Sequence, residues 1–403
     1  MGTPKGYLPP QLDEATITSL IVSLDLPAPS KVEALEVAAE YHSIYVLHFE
    51  KDVASSIPVR QDEDGSVELV LRVAGRHVPG YKTRNEVGCM TWIRKMTTIP
   101  VPAIVKWDDS ANNLTGHEFS LLEKVYGVSV DTIYKDLDRP QKRQLVEQLV
   151  DFLAQLHEKP WPASVGGLVA QPDGTVALGP PIEETFWQEP DIDKYWPGET
   201  LESMNALDKG PYPSFAAYIT ASCHKYCHAI QKHPSLEQFR DMVPSIHRFI
   251  ERINSVEFRG KLDTTKYIMA HKDLHFANII CDPDSLRIKA ILDWEFSGVV
   301  PAPRWNPSEA FLWNGSSDAS ANTEKYELRE VFETVCKEKG FHQVLRDIKP
   351  SPEQIKMITA VSYVRAITEV CPRGQHQDKI DNWKEEALAA MSFFEMDGRQ
   401  PGL

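Results

Sequence analysis

The sequence predicts an α+β chain of two lobes, a small antiparallel sheet followed by a larger, mostly helical body. Three observations predict it. Before residue 126 apolar residues recur with the two-residue period of strands, as in Val67-Glu68-Leu69-Val70-Leu71-Arg72-Val73. After residue 139 the apolar spacing is helical, as in Leu145, Leu149, Phe152, Leu153 and Leu156. A length of 403 residues suits two units at roughly 100–200 residues per domain. Residues 1–126 are expected to form the first and residues 127–403 the second.

Residues 1–30 read as a leader with a short helix over residues 11–23. Residues 32–50 and 66–73 read as strands, rich in aromatic and β-branched residues, with residues 61–65 as the turn between them. Thr83 and Glu86 fit a capping box that opens a helix running through Met90, Trp92 and Ile93. Ile99-Pro100-Val101-Pro102 ends that helix, because proline lacks the donor and clashes with the preceding turn. Residues 118–125 read as another strand, closed by Tyr126-Gly127, and residues 139–158 as an amphipathic helix.

Residues 160–213 form an insert rich in Pro, Gly, Trp and acids, and a loop of that length without periodicity suits a functional lid. Its Trp187 and Trp196, interleaved with carboxylates, would suit an organic cation. A solvated loop with packed aromatics is the other reading. Residues 213–233, 236–253, 308–313, 322–339, 352–370 and 379–394 read as helices.

The chemistry concentrates in residues 268–307. An apolar run enters His271-Lys272-Asp273, Asn278 follows, and a hairpin turning at residues 282–285 returns to Asp293-Trp294-Glu295. Phosphoryl transfer needs a carboxylate near the acceptor hydroxyl, here Asp273. It also needs an amide oxygen and a second carboxylate to hold Mg²⁺ against the phosphates, here Asn278 and Asp293. The hairpin brings Asn278 and Asp293 to one end, and Mg²⁺ takes only one or two protein carboxylates. These residue types at strand ends and loops are poor choices for a core.

The combination resembles the aminoglycoside phosphotransferase and choline kinase superfamily. The longer string HKDLHFANI through AILDWEFSGVVPAPRWNP is similar to its large fungal branch. The resemblance implies a protein-kinase-like fold, ATP and Mg²⁺ as cofactors, and a small-molecule hydroxyl as acceptor. It implies that Arg72 replaces the strand lysine that pairs with nucleotide phosphates, a swap that keeps charge but changes size and geometry. It implies Glu86 as the partner of Arg72, in competition with the capping box. It places an adenine against the backbone around Glu123 and Val125, with Leu121 at the back of the pocket.

Ser43 ends the phosphate-covering stretch 38–43, which lacks glycine; it is read as a phosphate contact or a plain turn residue. The similar D-F-E of choline kinases implies that Glu295 meets metal through water or meets a substrate group. Arg304 and Trp305 are read as walls of the acceptor pocket or as clamps on the loop. His271 is expected to prop the loop, and His275 and His157 to pack. The lack of an A-P-E signal points away from a protein acceptor. Arg72 and the missing glycines sustain a second reading, an idle kinase-fold module that senses nucleotide or binds a partner.

A formal charge of −15 argues against nucleic acid as a partner and is compatible with a cationic acceptor. No apolar run reaches the roughly 18 residues of a membrane span. The first residues resemble neither signal nor transit peptide, so a cytoplasmic protein is expected. Six cysteines in this length do not make a disulfide framework. Cys223, His224, Cys227 and His228 sit on one predicted helix and are expected to be structural, since zinc sites draw ligands from separated pieces of chain.

Overall fold

A computed structural model describes residues 5–35, 41–171, 173–305 and 319–395. The first lobe carries a five-stranded antiparallel sheet in the order β1–β2–β3–β5–β4. Its strands are β1 (Lys31–Leu35), β2 (His42–Phe49), β3 (Val67–Ala74), β4 (Ile104–Asp108) and β5 (Phe119–Glu123). The run read as one strand over residues 32–50 is thus two, paired with Lys31 opposite His48.

The two-residue period of β3 divides its side chains. Val67, Leu69, Leu71 and Val73 pack with Ile17, Leu20 and Ile21 of the helix Glu14–Ser23. That helix starts where Asp13 accepts a hydrogen bond from the Thr16 N–H at 2.7 Å, an N-cap. Arg72 stands on the opposite face, level with Ile44 of β2 and Ser120 of β5.

The helix Lys82–Met96 joins the lobes. The expected capping box does not form there: Tyr81 is the cap residue without a side-chain bond, and the Glu86 carboxylate is taken by Arg72. Cys89, Met90, Trp92 and Ile93 enter the core of the helical lobe. The insert is not a structureless lid. It supplies β7 (Gly167–Ala170) and β8 (Val176–Gly179), counted after β6 (Val128–Ser129), and the helices Glu189–Tyr195 and Leu201–Asn205. Trp187 and Trp196 are 5 % and 2 % exposed, edge to face with centroids 5.3 Å apart, and the Arg373 guanidinium lies 4.0 Å over the Trp187 ring, so they build core and leave no open face for a ligand cation.

Gly88 marks where the β7–β8 hairpin braces the interlobe helix. A Cβ there would lie 2.3 Å from the Leu168 carbonyl oxygen. Propensity alone predicts that Gly88→Ala stabilises the helix by about 1 kcal/mol. The backbone clash reverses that sign, and a loss of about 1–3 kcal/mol is expected in urea unfolding. A stabilised variant would show that the hairpin does not press on this helix.

The helical lobe packs Arg139–His157, Phe215–Lys232, Val243–Ile253, Ala319–Glu338, Pro352–Val370 and Ile380–Ser392 around one core. Capping boxes at Asp138 with Gln141 and at Ser351 with Gln354 start two of them. The helix expected over residues 236–253 is a 3-10 segment, Pro234–Met242, that restarts as Val243–Ile253 with a proline in its first turn. The helix expected over residues 308–313 lies outside the described residues. Cys223 and Cys227 are buried in the core, whereas His228 turns to Glu199 at 2.7 Å, so this set does not converge.

Candidate active site

Two pairs of short strands pin the loops that carry the motif. β9 (Tyr267–Ala270) pairs with β12 (Gly298–Pro301), Ala270 opposite Gly298. Between them, β10 (Ile279–Cys281) pairs with β11 (Ile288–Ile291), Ile279 opposite Ile291. The segments 271–278 and 292–297 are therefore held at both ends and lie side by side. Gly127 passes the chain between lobes beside them: its φ is 154°, and a Cβ would sit 2.5 Å from the Cys281 carbonyl oxygen.

Hydrogen bonds finish the placement. The Asn278 side-chain amide donates to the Asp273 carbonyl at 2.9 Å, and the Leu292 N–H donates to the Asn278 carbonyl at 2.8 Å. His271 Nε2 lies 2.7 Å from the Leu292 carbonyl, and the Asp273 N–H lies 3.3 Å from His271 Nδ1. Burial pulls the His271 pKa down, so the ring is a neutral strut, as expected from sequence. Asp293 follows with φ 65°, a left-handed conformation that aspartate tolerates better than most residues.

Arg72 is the hub of the facing lobe. It pairs with Glu86, and its other nitrogen reaches Asp293 at 2.9 Å. Glu86 is buried; desolvation pushes its pKa up while Arg72 opposes it. Behind this pair sits a group that the sequence did not single out. Lys82, 1 % exposed, donates to Glu295 at 3.0 Å, and His42 lies between Arg72 (3.3 Å) and Lys82 (3.2 Å). Burial and the two cations keep His42 neutral. Lys82 stands one helical turn before Glu86, which is the only local signal for it.

Glu295 is buried, so it meets neither solvent nor an open cleft, contrary to its expected substrate or metal role. Burial first, and then the Asp293 carboxylate, push its pKa up to about 8. Asn85 locks this region from the interlobe helix. Its amide donates to the Glu295 and Ser297 carbonyls, each at 2.9 Å, and accepts from the Leu168 N–H at 2.7 Å.

Other expected residues fall elsewhere. Leu121 lies opposite Leu71 and belongs to the outer core, so its neighbour Ser120 shares the Arg72 face. Ser43 lies opposite Val73, again on the face away from Arg72, with its hydroxyl 3.4 Å from the Pro9 carbonyl. Strand alternation therefore removes both from the cleft. The Glu123 N–H is taken by the Ala103 carbonyl at 2.8 Å, whereas the Val125 backbone has no partner among the described residues. A cavity of about 1250 Å³ touches residues 123–126 but extends to Arg60 and Lys289, and Asp273, Asn278, Asp293 and Arg72 lie outside it. Trp305 is 5 % exposed within the core, which withdraws it from an acceptor pocket. His275 does more than pack: its Nε2 is 3.6 Å from the Asp273 carboxylate, whose hydrogen bond raises the His275 pKa.

A family profile described as "Phosphotransferase enzyme family" matches residues 59–302. Two subtelomeric hrmA-associated cluster proteins, from two strains of Aspergillus fumigatus, are each 22% identical over 280 residues, 59% of this chain and 54% of theirs. The chain thus spans about half the length of the curated relatives it matches. It is similar to the ADP-bound aminoglycoside phosphotransferase APH(2'')-Ib, with 13% identity, a TM-score of 0.48, and coverage of 96% of this chain and 100% of that one. It is similar to aminoglycoside phosphotransferase APH(4)-Ia, with 14% identity, a TM-score of 0.48, and coverage of 94% and 99%. Among the described residues, no helix is long and apolar enough to cross a membrane.

Proposed function

Because the chain belongs to the phosphotransferase enzyme family, we propose that it transfers the γ-phosphoryl group of ATP to a hydroxyl of a small molecule. The observation that carries this reading is the double pinning of segments 271–278 and 292–297 opposite the Arg72–Glu86 pair. Asp273, a third exposed, accepts the hydroxyl proton. Arg72 offers fixed positive charge from the other lobe, and its pair with Glu86 removes one ground for an idle scaffold.

The donor set suits Mg²⁺. The Asn278 amide nitrogen is committed to the Asp273 carbonyl, which leaves its oxygen as a ligand, and Asp293 adds a half-buried carboxylate. When bound, the ion supplies charge neutralisation on the phosphates. The chain's own part is positioning: the strand pairs set the distance between the proton acceptor and the ligand pair before substrate arrives. The reading includes a cytoplasmic place of action, where ATP is at hand.

The test is thermal unfolding with and without MgATP. A nucleotide that binds only the folded state stabilises it by about 2.7 kcal/mol at a hundredfold excess over Kd. Asp293→Ala is expected to remove the magnesium-dependent part of that gain. No shift at millimolar MgATP would overturn the proposal.

A further inference from the structure

A second charged cluster reaches the Asp273 loop through Lys272 and Glu183. Lys272, between His271 and Asp273, turns to Glu183 at 3.1 Å. Arg304 reaches the other oxygen of Glu183 at 3.1 Å and lies over the Tyr218 ring at 4.5 Å. The Tyr218 hydroxyl donates to Glu183 at 3.1 Å. These partners hold the Glu183 pKa down near 2 against the effect of burial, so this one carboxylate already serves two cations.

Lys225 of the helix Phe215–Lys232 completes the cluster. Its ammonium lies over the Phe186 ring at 4.7 Å and the Tyr226 ring at 4.8 Å, and no described residue gives it a hydrogen bond or ion pair. The charged groups facing it are Glu369, Glu183, Arg365 and Arg304, and Glu369 is already paired with Arg365 at 3.1 Å. One nitrogen of Arg304, Nη1, is buried without an acceptor among the described residues. Among the described residues, four cations thus stand against two carboxylates in a chain whose formal charge is −15.

A buried N–H with no acceptor is unfavourable, and a guanidinium and an ammonium that repel each other across one cluster suit the oxygens of an anion. We propose that Lys225 and Arg304 bind an oxyanion carried by the phosphate acceptor, a carboxylate or a phosphate ester, beside the Asp273 loop. This rests on the phosphotransferase reading above. It replaces the cationic acceptor suggested by composition, whose tryptophans are buried. Lys225 stays largely charged at neutral pH, because burial brings its pKa down only to about 8.

The test compares four probes on related skeletons: glucose, glucosamine, gluconate and glucose phosphate. Binding is measured by calorimetry on the full chain carrying Asp273→Asn and saturated with MgADP. Gluconate or glucose phosphate is expected to bind about tenfold or more tighter than glucose, about 1.4 kcal/mol. Whichever is tighter distinguishes carboxylate from phosphate ester. The preference is expected to vanish in Lys225→Met and to persist in Lys225→Arg, which also controls for folding. Equal affinity, no measurable binding, tightest binding of glucosamine, or a preference that survives Lys225→Met would each overturn the proposal. Failure of MgADP to raise the melting temperature would instead sink the phosphotransferase reading, and the same anion preference, measured without nucleotide, would still decide this one.

Discussion

Asp273→Asn is expected to lower phosphoryl transfer by about 10²–10⁴-fold, the range a positioned acid or base contributes, while MgATP still binds. The substitution is nearly isosteric, and the loop does not depend on the carboxylate. The Asp273 carbonyl accepts from Asn278 and its N–H faces His271 Nδ1, so both backbone contacts survive. What is lost is the negative charge near His275. That loss has its own readout: the His275 pKa, raised in the parent by its hydrogen bond to Asp273, is expected to fall toward its ordinary value in the variant. Full turnover by the variant on a true acceptor would show that the proton goes elsewhere. An unmoved His275 titration would show that the two side chains do not interact in solution.

Arg72→Ala is expected to cost about 3–5 kcal/mol of stability, because it leaves a buried carboxylate without its cation. Glu86 is 2 % exposed in its side chain, and Lys82, another cation that acts on it, is already engaged by Glu295. Adding Glu86→Gln is expected to recover much of the loss, since no charge then remains to desolvate. The single variant also has a pH signature. Without Arg72, burial and the Asp293 carboxylate, opposed by Lys82, raise the folded Glu86 pKa further above its ordinary 4.5. A raised folded pKa contributes stability below the unfolded value that is lost as pH rises toward the folded value. The destabilisation is therefore expected to be larger at neutral pH than under mildly acidic conditions. Urea unfolding of parent, single and double variants measures all three. A loss below about 1 kcal/mol, or a double variant no better than the single, would show that the pair is not a buried ion pair.

Much of this site was legible because its parts are local. The H-x-D loop, Asn278 and Asp293 are spaced by one hairpin, so sequence distance alone brings them to one end. Arg72 was legible through the resemblance, which puts it in β3 at the place of the strand lysine, and the alternation of that strand turns it away from the apolar positions. The family resemblance misled at Leu121 and Ser43: both sit on strands whose facing depends on pairing register, and a one-residue difference sends a side chain to the opposite face. The aromatic and acidic insert read as a lid because periodicity is weak in short strands and helices, whereas packing turned it into a brace under the interlobe helix.

By itself, the sequence determined which short loops could carry phosphoryl chemistry, because turns, strand ends and residue types act over a few positions. Only the tertiary structure decided which distant charges face one another. Lys82 meets Glu295 across 213 positions and Asn85 meets the same loop across 210. Such pairs leave no local pattern, since each is made by the burial of two lobes against a shared helix, and burial is a property of the packed whole.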